Sequence, residues 1–189
     1  MARAANRVED IRRRLLLVQQ HRLLARWNTP YDKFTSEGWV VGVGAAFVAL
    51  LLIRDDQCYD GVACFRLQDV QRLRPAPHPQ FVRTVLRLRG QRRPRLRLRL
   101  DDAGSALRSI ARAFPLVTIH RERLHPDECN IGKLAEVDAG TFGLQEINPG
   151  AKWERRVTTY RLRDVTRIEG GGGYEAALWL VGGEAPPLR

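Results

Sequence analysis

Cysteine is scarce in this sequence. Cys58, Cys64 and Cys129 are the only three in 189 residues, an odd number with no C-x-x-C pair, and each stands beside apolar residues. That pattern argues against a disulfide framework and predicts a reduced, cytoplasmic protein. Lysine is also rare, at three of 32 basic residues. A guanidinium-dominated chain suits bidentate phosphate or carboxylate binding, although a genome rich in G and C produces the same bias. Long apolar runs are missing. The longest mostly apolar, uncharged stretch, Gly38 to Ile53, has sixteen residues, short of the ~20 that a spanning helix needs. At the start, Leu15-Leu16-Leu17-Val18 is cut by Gln19-Gln20-His21, far short of the apolar core of a signal peptide.

Catalytic patterns are lacking as well. The sequence holds no Ser/His/Asp, Cys/His, P-loop or G-x-G-x-x-G arrangement, and the glycine run 170–173 has no lysine after it. His21 and His78 have no nucleophile or carboxylate at a motif spacing. His120, His125, Asp127 and Cys129 are metal-ligand types within ten residues, but their spacing matches no closed zinc site. No catalytic residue, metal or cofactor is therefore assigned, and the expectation is a protein that is not an enzyme.

What the sequence does contain is a repeat. Phe65-Arg66-Leu67-Gln68-Asp69-Val70-Gln71-Arg72-Leu73 returns 95 residues later as Tyr160-Arg161-Leu162-Arg163-Asp164-Val165-Thr166-Arg167-Ile168, identical at five of nine positions. One structural unit built twice is the simplest explanation. The twin of Gly38 to Ile53 is then Lys133 to Asn148, which carries Lys133, Glu136, Asp138 and Glu146. A membrane span would not have that twin.

Periodicity fills in each unit. Val8, Ile11, Leu15 and Val18 predict an amphipathic helix to Gln20, with a first strand at 22–27 and a loop at 28–32. Trp39–Val43 and Phe47–Ile53 read as a hairpin buried on both faces, Val62–Leu67 as a fourth strand and Val70–Leu73 as a fifth. In the turn between the last two, the repeated Asp is expected to accept backbone N–H bonds. Phe81–Leu88 closes the unit as a short helix. The second copy predicts a helix after Asp101-Asp102, strands at 117–122, 131–137, 141–147 and 155–162, a short fifth strand, a flexible glycine bridge at 170–173 and a helix at 174–181. Four segments result: a first unit (1–90), a connector (91–100), a second unit (101–183) and a tail (184–189).

Helix, five short strands and a tight turn before the fifth: this order resembles the Sm-like fold, a bent five-stranded barrel capped by an N-terminal helix. Segments such as Ile131-Gly132-Lys133, Asn148-Pro149, Trp153 and Arg161–Ile168 are similar to those of uncharacterised bacterial proteins that carry two Sm-like barrels in tandem. The resemblance implies a mainly β (α+β) chain of two five-stranded barrels, each with an N-terminal helix and a short C-terminal one. It further implies RNA binding and ring formation through strands four and five. Gln68-Asp69 and Arg163-Asp164 stand where that family has an Ile-Arg-Gly-like turn, so uridine binding at the turn is not carried over.

The charge points elsewhere. Net charge is +11, yet residues 75–100 hold eight arginines and no acid, while 101–189 hold 12 basic and 13 acidic residues. Strict Leu/Arg alternation from Arg95 to Leu100 would set leucines on one face of an extended strand and arginines on the other. Arg87, Arg89, Arg92, Arg93, Arg95, Arg97 and Arg99 are the candidate contacts to an RNA or DNA backbone, with no aromatic residue interleaved. A competing explanation has the leucines packing between barrels and the arginines solvated or paired with acids of the second unit. Two functions follow: a non-catalytic nucleic-acid-binding module, or an assembly module that pairs exposed strand edges with a protein partner or a second copy.

Overall fold

A computed structural model describes residues 2–31 and 35–188, with side chains from residue 5. Asp32, in the predicted 28–32 loop, and Arg189, at the end of the predicted tail, lie outside them. In chain order the elements are α1 (Ala2–Gln20), β1 (Leu24–Asn28), β2 (Ser36–Val43), β3 (Phe47–Ile53), β4 (Tyr59–Arg66), β5 (Gln71–Pro75) and α2 (Pro79–Leu88). There follow α3 (Ala103–Ala113), β6 (Val117–His120), β7 (Cys129–Val137), β8 (Thr141–Ile147), β9 (Trp153–Arg161), β10 (Arg167–Gly170) and α4 (Gly173–Gly182). The chain is mixed α+β, mainly β with short helices. No helix among the described residues is long and apolar enough to cross a membrane; the stretch 38–53 forms β2 and β3.

Two separate closed barrels are not formed. All ten strands share one antiparallel sheet in the order β5-β1-β2-β3-β4-β10-β6-β7-β8-β9, open at β5 and at β9. Each half repeats the same internal order, β5-β1-β2-β3-β4 and β10-β6-β7-β8-β9. The halves are joined where β10 pairs with β4, with Ile168 opposite Cys64 and Gly170 opposite Val62. The predicted flexible bridge is part of this seam. Gly61 has φ +72° and Gly171 has φ +77°; a Cβ on Gly61 would come within 2.5 Å of Gly170 O, and one on Gly171 would strike the Phe114 ring. Only residues without side chains let β4, β10 and α3 approach so closely.

The hydrophobic pattern explains why the sheet runs on. β3 is apolar at every position and buries both faces, Phe47, Ala49 and Leu51 on one side and Val48 and Leu50 on the other. The first side belongs to a core shared by the two halves, in which Phe47, Leu51, Val62 and Cys64 meet Ile110, Ile119, Phe142 and Ile168. The second side packs under α1 with Ile11, Leu15, Trp27 and Phe65. Smaller clusters seat α2 through Val82 and Leu86 on Leu24 and Trp39, and α4 through Leu178 on Leu116 and Ile147.

Two details differ from the sequence expectations. The first strand begins at Leu24 instead of Arg22, because Leu23 N–H donates to Val18 O (3.0 Å) and Arg22 turns left-handed at φ 51°. In the repeated turns, three-residue 3-10 segments are closed main chain to main chain, Val70 N–H to Leu67 O and Val165 N–H to Leu162 O, both at 3.3 Å. Asp69 is buried with its Oδ2 lacking any partner, so it does not serve there as the predicted main-chain acceptor. Burial raises its carboxyl, while Arg66 and Arg123 pull it back.

Candidate nucleic-acid interface

The arginine-rich segment starts on α2. Pro79 occupies the first turn, where its missing N–H costs nothing, and Val82 and Leu86 face the core. Arg83 and Arg87 therefore fall on the outward side. The helix is stopped by Gly90 at φ +64°, with Gln91 N–H donating to Leu86 O (2.9 Å) and Gly90 N–H to Arg87 O (3.0 Å). This left-handed cap reverses the chain and sends it back along β2.

The connector that follows is extended but pairs with no strand. Arg93 Nη2 donates to Val40 O at 3.0 Å, and Leu100 O accepts from both Ala46 N–H (3.1 Å) and Phe47 N–H (2.9 Å). Leu96 and Leu98 pack against the shared core and Leu100 is buried in it. Gly44 lies against the Leu100 backbone with no room for a Cβ. The alternation thus separates the two residue types, with Arg95, Arg97 and Arg99 exposed. No other described residue hydrogen-bonds or ion-pairs with these three guanidinium groups, whereas the Arg99 main-chain N–H donates to Ser109 Oγ at 2.9 Å.

Where α2, its cap and β2 meet there is a groove of about 430 Å³. Arg22, Arg83, Arg87, Arg92 and Arg93 line it together with Trp39, Tyr59 and Gln91, and no acidic residue does. Arg83 Nη2 donates to Arg22 O (2.7 Å), so the left-handed turn after α1 is clamped to α2. Burial lowers the Arg93 pKa, Tyr59 opposes that shift and the neighbouring Arg22 charge adds to it. Burial raises the Tyr59 phenol, and Arg93 pulls it down. Five exposed guanidinium groups are thus gathered around one groove, and their summed positive field favours an anion there.

Of the seven arginines singled out in the sequence, the fold gathers Arg87, Arg92 and Arg93 in the groove and leaves Arg95, Arg97 and Arg99 as an exposed ribbon. Arg89 is turned away: its Nη1 donates to Asp56 O and to Cys58 Sγ and lies 4.0 Å from the Asp56 carboxylate. Sequence reasoning missed Arg22, Trp39 and Tyr59. Arg83 carried a signal, as a member of the acid-free stretch, whereas Arg22 is brought in by the turn and the two aromatics by β2 and β4. Trp39 and Tyr59 meet edge to face, their centroids 6.0 Å apart.

The other chemistry-bearing residues are engaged elsewhere. His120 lies between Arg167 Nη2, 3.2 Å from its Nδ1, and Glu169 Oε1, 3.6 Å from its Nε2. Cys129 faces His120 across the β6–β7 pair, but burial raises its thiol, with Glu169 and Glu175 adding to the shift. The two imidazole nitrogens thus lie beside an arginine and a carboxylate. His125 sits 3.7 Å from Glu128 on the surface. Among the described residues no group of three His, Cys, Asp or Glu side chains is gathered to hold a metal ion. Comparison with protein-family models, curated proteins and solved structures finds no match.

Proposed function

We propose that the chain is a non-catalytic nucleic-acid-binding module that holds an RNA or DNA backbone along the groove and the connector ribbon. The observation that carries this is the groove itself: five arginines converge on one cavity without a carboxylate, and three more continue from it along an extended chain. Residues two apart in such a chain lie roughly 6.5 Å from one another, so Arg95, Arg97 and Arg99 form a regular row of cations. Half-buried Tyr59 supplies aromatic surface at the groove, backed by the buried Trp39, an element that a purely basic connector lacks for gripping bases. Contacts of this kind carry little sequence preference and a strong salt dependence.

We further propose that each half is an Sm-like unit, the two sharing one open sheet. Support comes from the identical strand order of the halves, the helix that precedes each and the three-residue 3-10 turn before each last strand. Assembly through strand edges is a second function, favoured by one observation: β9 is paired on one side only.

The test is binding of labelled single-stranded RNA and DNA at low and at high salt. Wild type is expected to bind both, with a slope of roughly −0.7 per phosphate contact in the logarithmic salt plot. Changing Arg92 and Arg93 to Glu should weaken binding at least tenfold for every sequence, while Arg89→Gln, removing a guanidinium already paired with Asp56, should change it little. Absence of affinity for any oligonucleotide at low salt would sink the proposal.

A further inference from the structure

The seam between the halves holds a second cavity, of about 200 Å³. Asp60 of β4, Glu169 of β10 and Glu175 of α4 line it with Thr118 and His120 of β6 and the glycine bridge. No lysine or arginine among the described residues does so. In a chain of net charge +11, this acidic lining is the reverse of the arginine groove, with which it shares no residue.

Two of the three carboxylates have a cation at hand. Glu169 lies 3.2 Å from Arg167 Nε and 3.6 Å from His120 Nε2. Asp60 Oδ1 accepts Gly173 N–H at 2.8 Å, and Arg54 is beside it: Asp60 Oδ1 and Arg54 Nη1 lie 3.5 and 3.2 Å from the point where a Cβ on Gly173 would stand. Glu175 has no such neighbour. It is 8% exposed, its Oε1 accepts the Thr118 hydroxyl at 2.7 Å, and among the described residues no other side chain hydrogen-bonds or ion-pairs with it. Its Oε2 lies 2.6 Å from the point where a Cβ on Gly172 would stand, and Asp60 Oδ1 lies 3.6 Å from the same point. Both carboxylates therefore converge on the bare backbone of Gly172.

Packing does not call for an acid here. Setting Phe81 against Tyr174 in the repeat puts Val82 opposite Glu175; both are buried, and Val82 packs on Leu24 and Trp39. The α4 dipole favours an acid in its first turn but amounts to only about half a charge. A whole charge with one hydrogen bond is thus held where burial makes an unmatched charge costly.

We propose that this cavity binds the ammonium group of a short aliphatic amine, with Glu175 as its counter-ion and Asp60 as a second acceptor. The volume falls below the roughly 300–1,000 Å³ of sites for larger ligands, and Leu52, Ile131 and Tyr174 supply wall for an alkyl chain. Among the described residues no three His, Cys, Asp or Glu side chains are gathered to hold a metal ion, whereas an ammonium carries three donors of its own and needs one counter-ion. The site is independent of nucleic-acid binding.

Titration of the isotope-labelled full chain with n-butylammonium chloride, followed by NMR against sodium chloride at equal ionic strength, tests this. Saturable shifts are expected at the amide signals of Thr118, Gly172 and Gly173, and none from n-butanol, which has the same chain without the charge. Glu175→Gln keeps an acceptor for Thr118 and should weaken binding about tenfold or more, through loss of a charge-assisted hydrogen bond. Gly172→Ala, at a φ of −74° that alanine adopts freely, sets a methyl group against Oε2 and should weaken binding by a similar factor at an unchanged melting profile. Absence of saturable shifts, shifts that n-butanol reproduces, or binding that either variant retains in full overturns the proposal. Tighter binding of Nα-acetyl-lysine methylamide than of n-butylamine would assign the ammonium to a lysine of a protein partner and overturn the free amine as ligand.

Discussion

Glu169 shows how a single side chain is set by its surroundings. Burial favours its protonated form, yet the hydrogen bond and charge of His120 and the charge of Arg167 outweigh burial, and its pKa is lowered from 4.5. Arg167 also bonds Glu122 at 2.9 Å and reaches Glu169 with its Nε at 3.2 Å. A carboxyl with a lowered folded pKa binds fewer protons folded than unfolded. Its stabilising effect is therefore present above the ordinary value of 4.5 and lost as pH falls through the folded value. Glu169→Gln should cost about 1–3 kcal/mol at pH 7, and urea melts taken down to pH 3 should show the gap to wild type closing below about pH 4.5. Asp69 has the opposite slope, since its raised pKa favours the folded state at low pH. At this scale the sequence was readable where partners are local. Asp102 caps α3 by accepting Ser105 N–H at 2.8 Å, as its spacing suggests. The His120–Arg167–Glu169 network was not readable, because three segments meet only after the strands have paired.

At the scale of elements, the ends of α1 and α2 make an instructive pair. Both helices stop through a left-handed residue, Arg22 for the first and Gly90 for the second. Glycine announces such a stop and arginine does not, which is why the start of the first strand was misplaced and Arg22 was missed as a groove residue. The repeat also misled locally: loops of different length follow β1 and β6, so an ungapped alignment slips there although it holds at β4 and β9. The connector was more legible. Leu/Arg alternation predicted which face is buried, but not that the segment would lie on β2 without pairing, since that depends on bare glycine backbone at Gly42 and Gly44. Leu100 is 3% exposed, and Leu100→Ala should cost about 2–5 kcal/mol. Arg97→Ala should stay within about 0.5 kcal/mol in the same denaturant melt, while lowering affinity for oligonucleotides.

On the scale of the whole molecule, the repeat made two units plain and left their joining hidden. Nothing in the β4 sequence states whether its outer edge meets its own fifth strand or that of the other half. The outcome depends on Gly61, the 170–173 glycines and a core to which both halves contribute. Because that core is shared, the halves should unfold together: a single transition is expected by fluorescence and circular dichroism alike. Ile168, opposite Cys64 on the seam and fully buried, is the residue to probe. Ile168→Ala should shift the entire transition by about 2–5 kcal/mol, and two separate melts would contradict a common core.

The β4–β10 pairing also has a consequence for biosynthesis. Val62 leaves the ribosome more than one hundred residues ahead of Gly170, its partner across the seam. At synthesis rates of about 5–20 residues per second, the edge of β4 waits roughly 5 to 20 seconds for its neighbour. During that interval the nascent first half displays an apolar strand edge, Val62-Ala63-Cys64-Phe65, the kind of surface that other chains and chaperones seize. Folding yield in this protein is thus a race between translation speed and capture of that edge, and the last strand to emerge decides it.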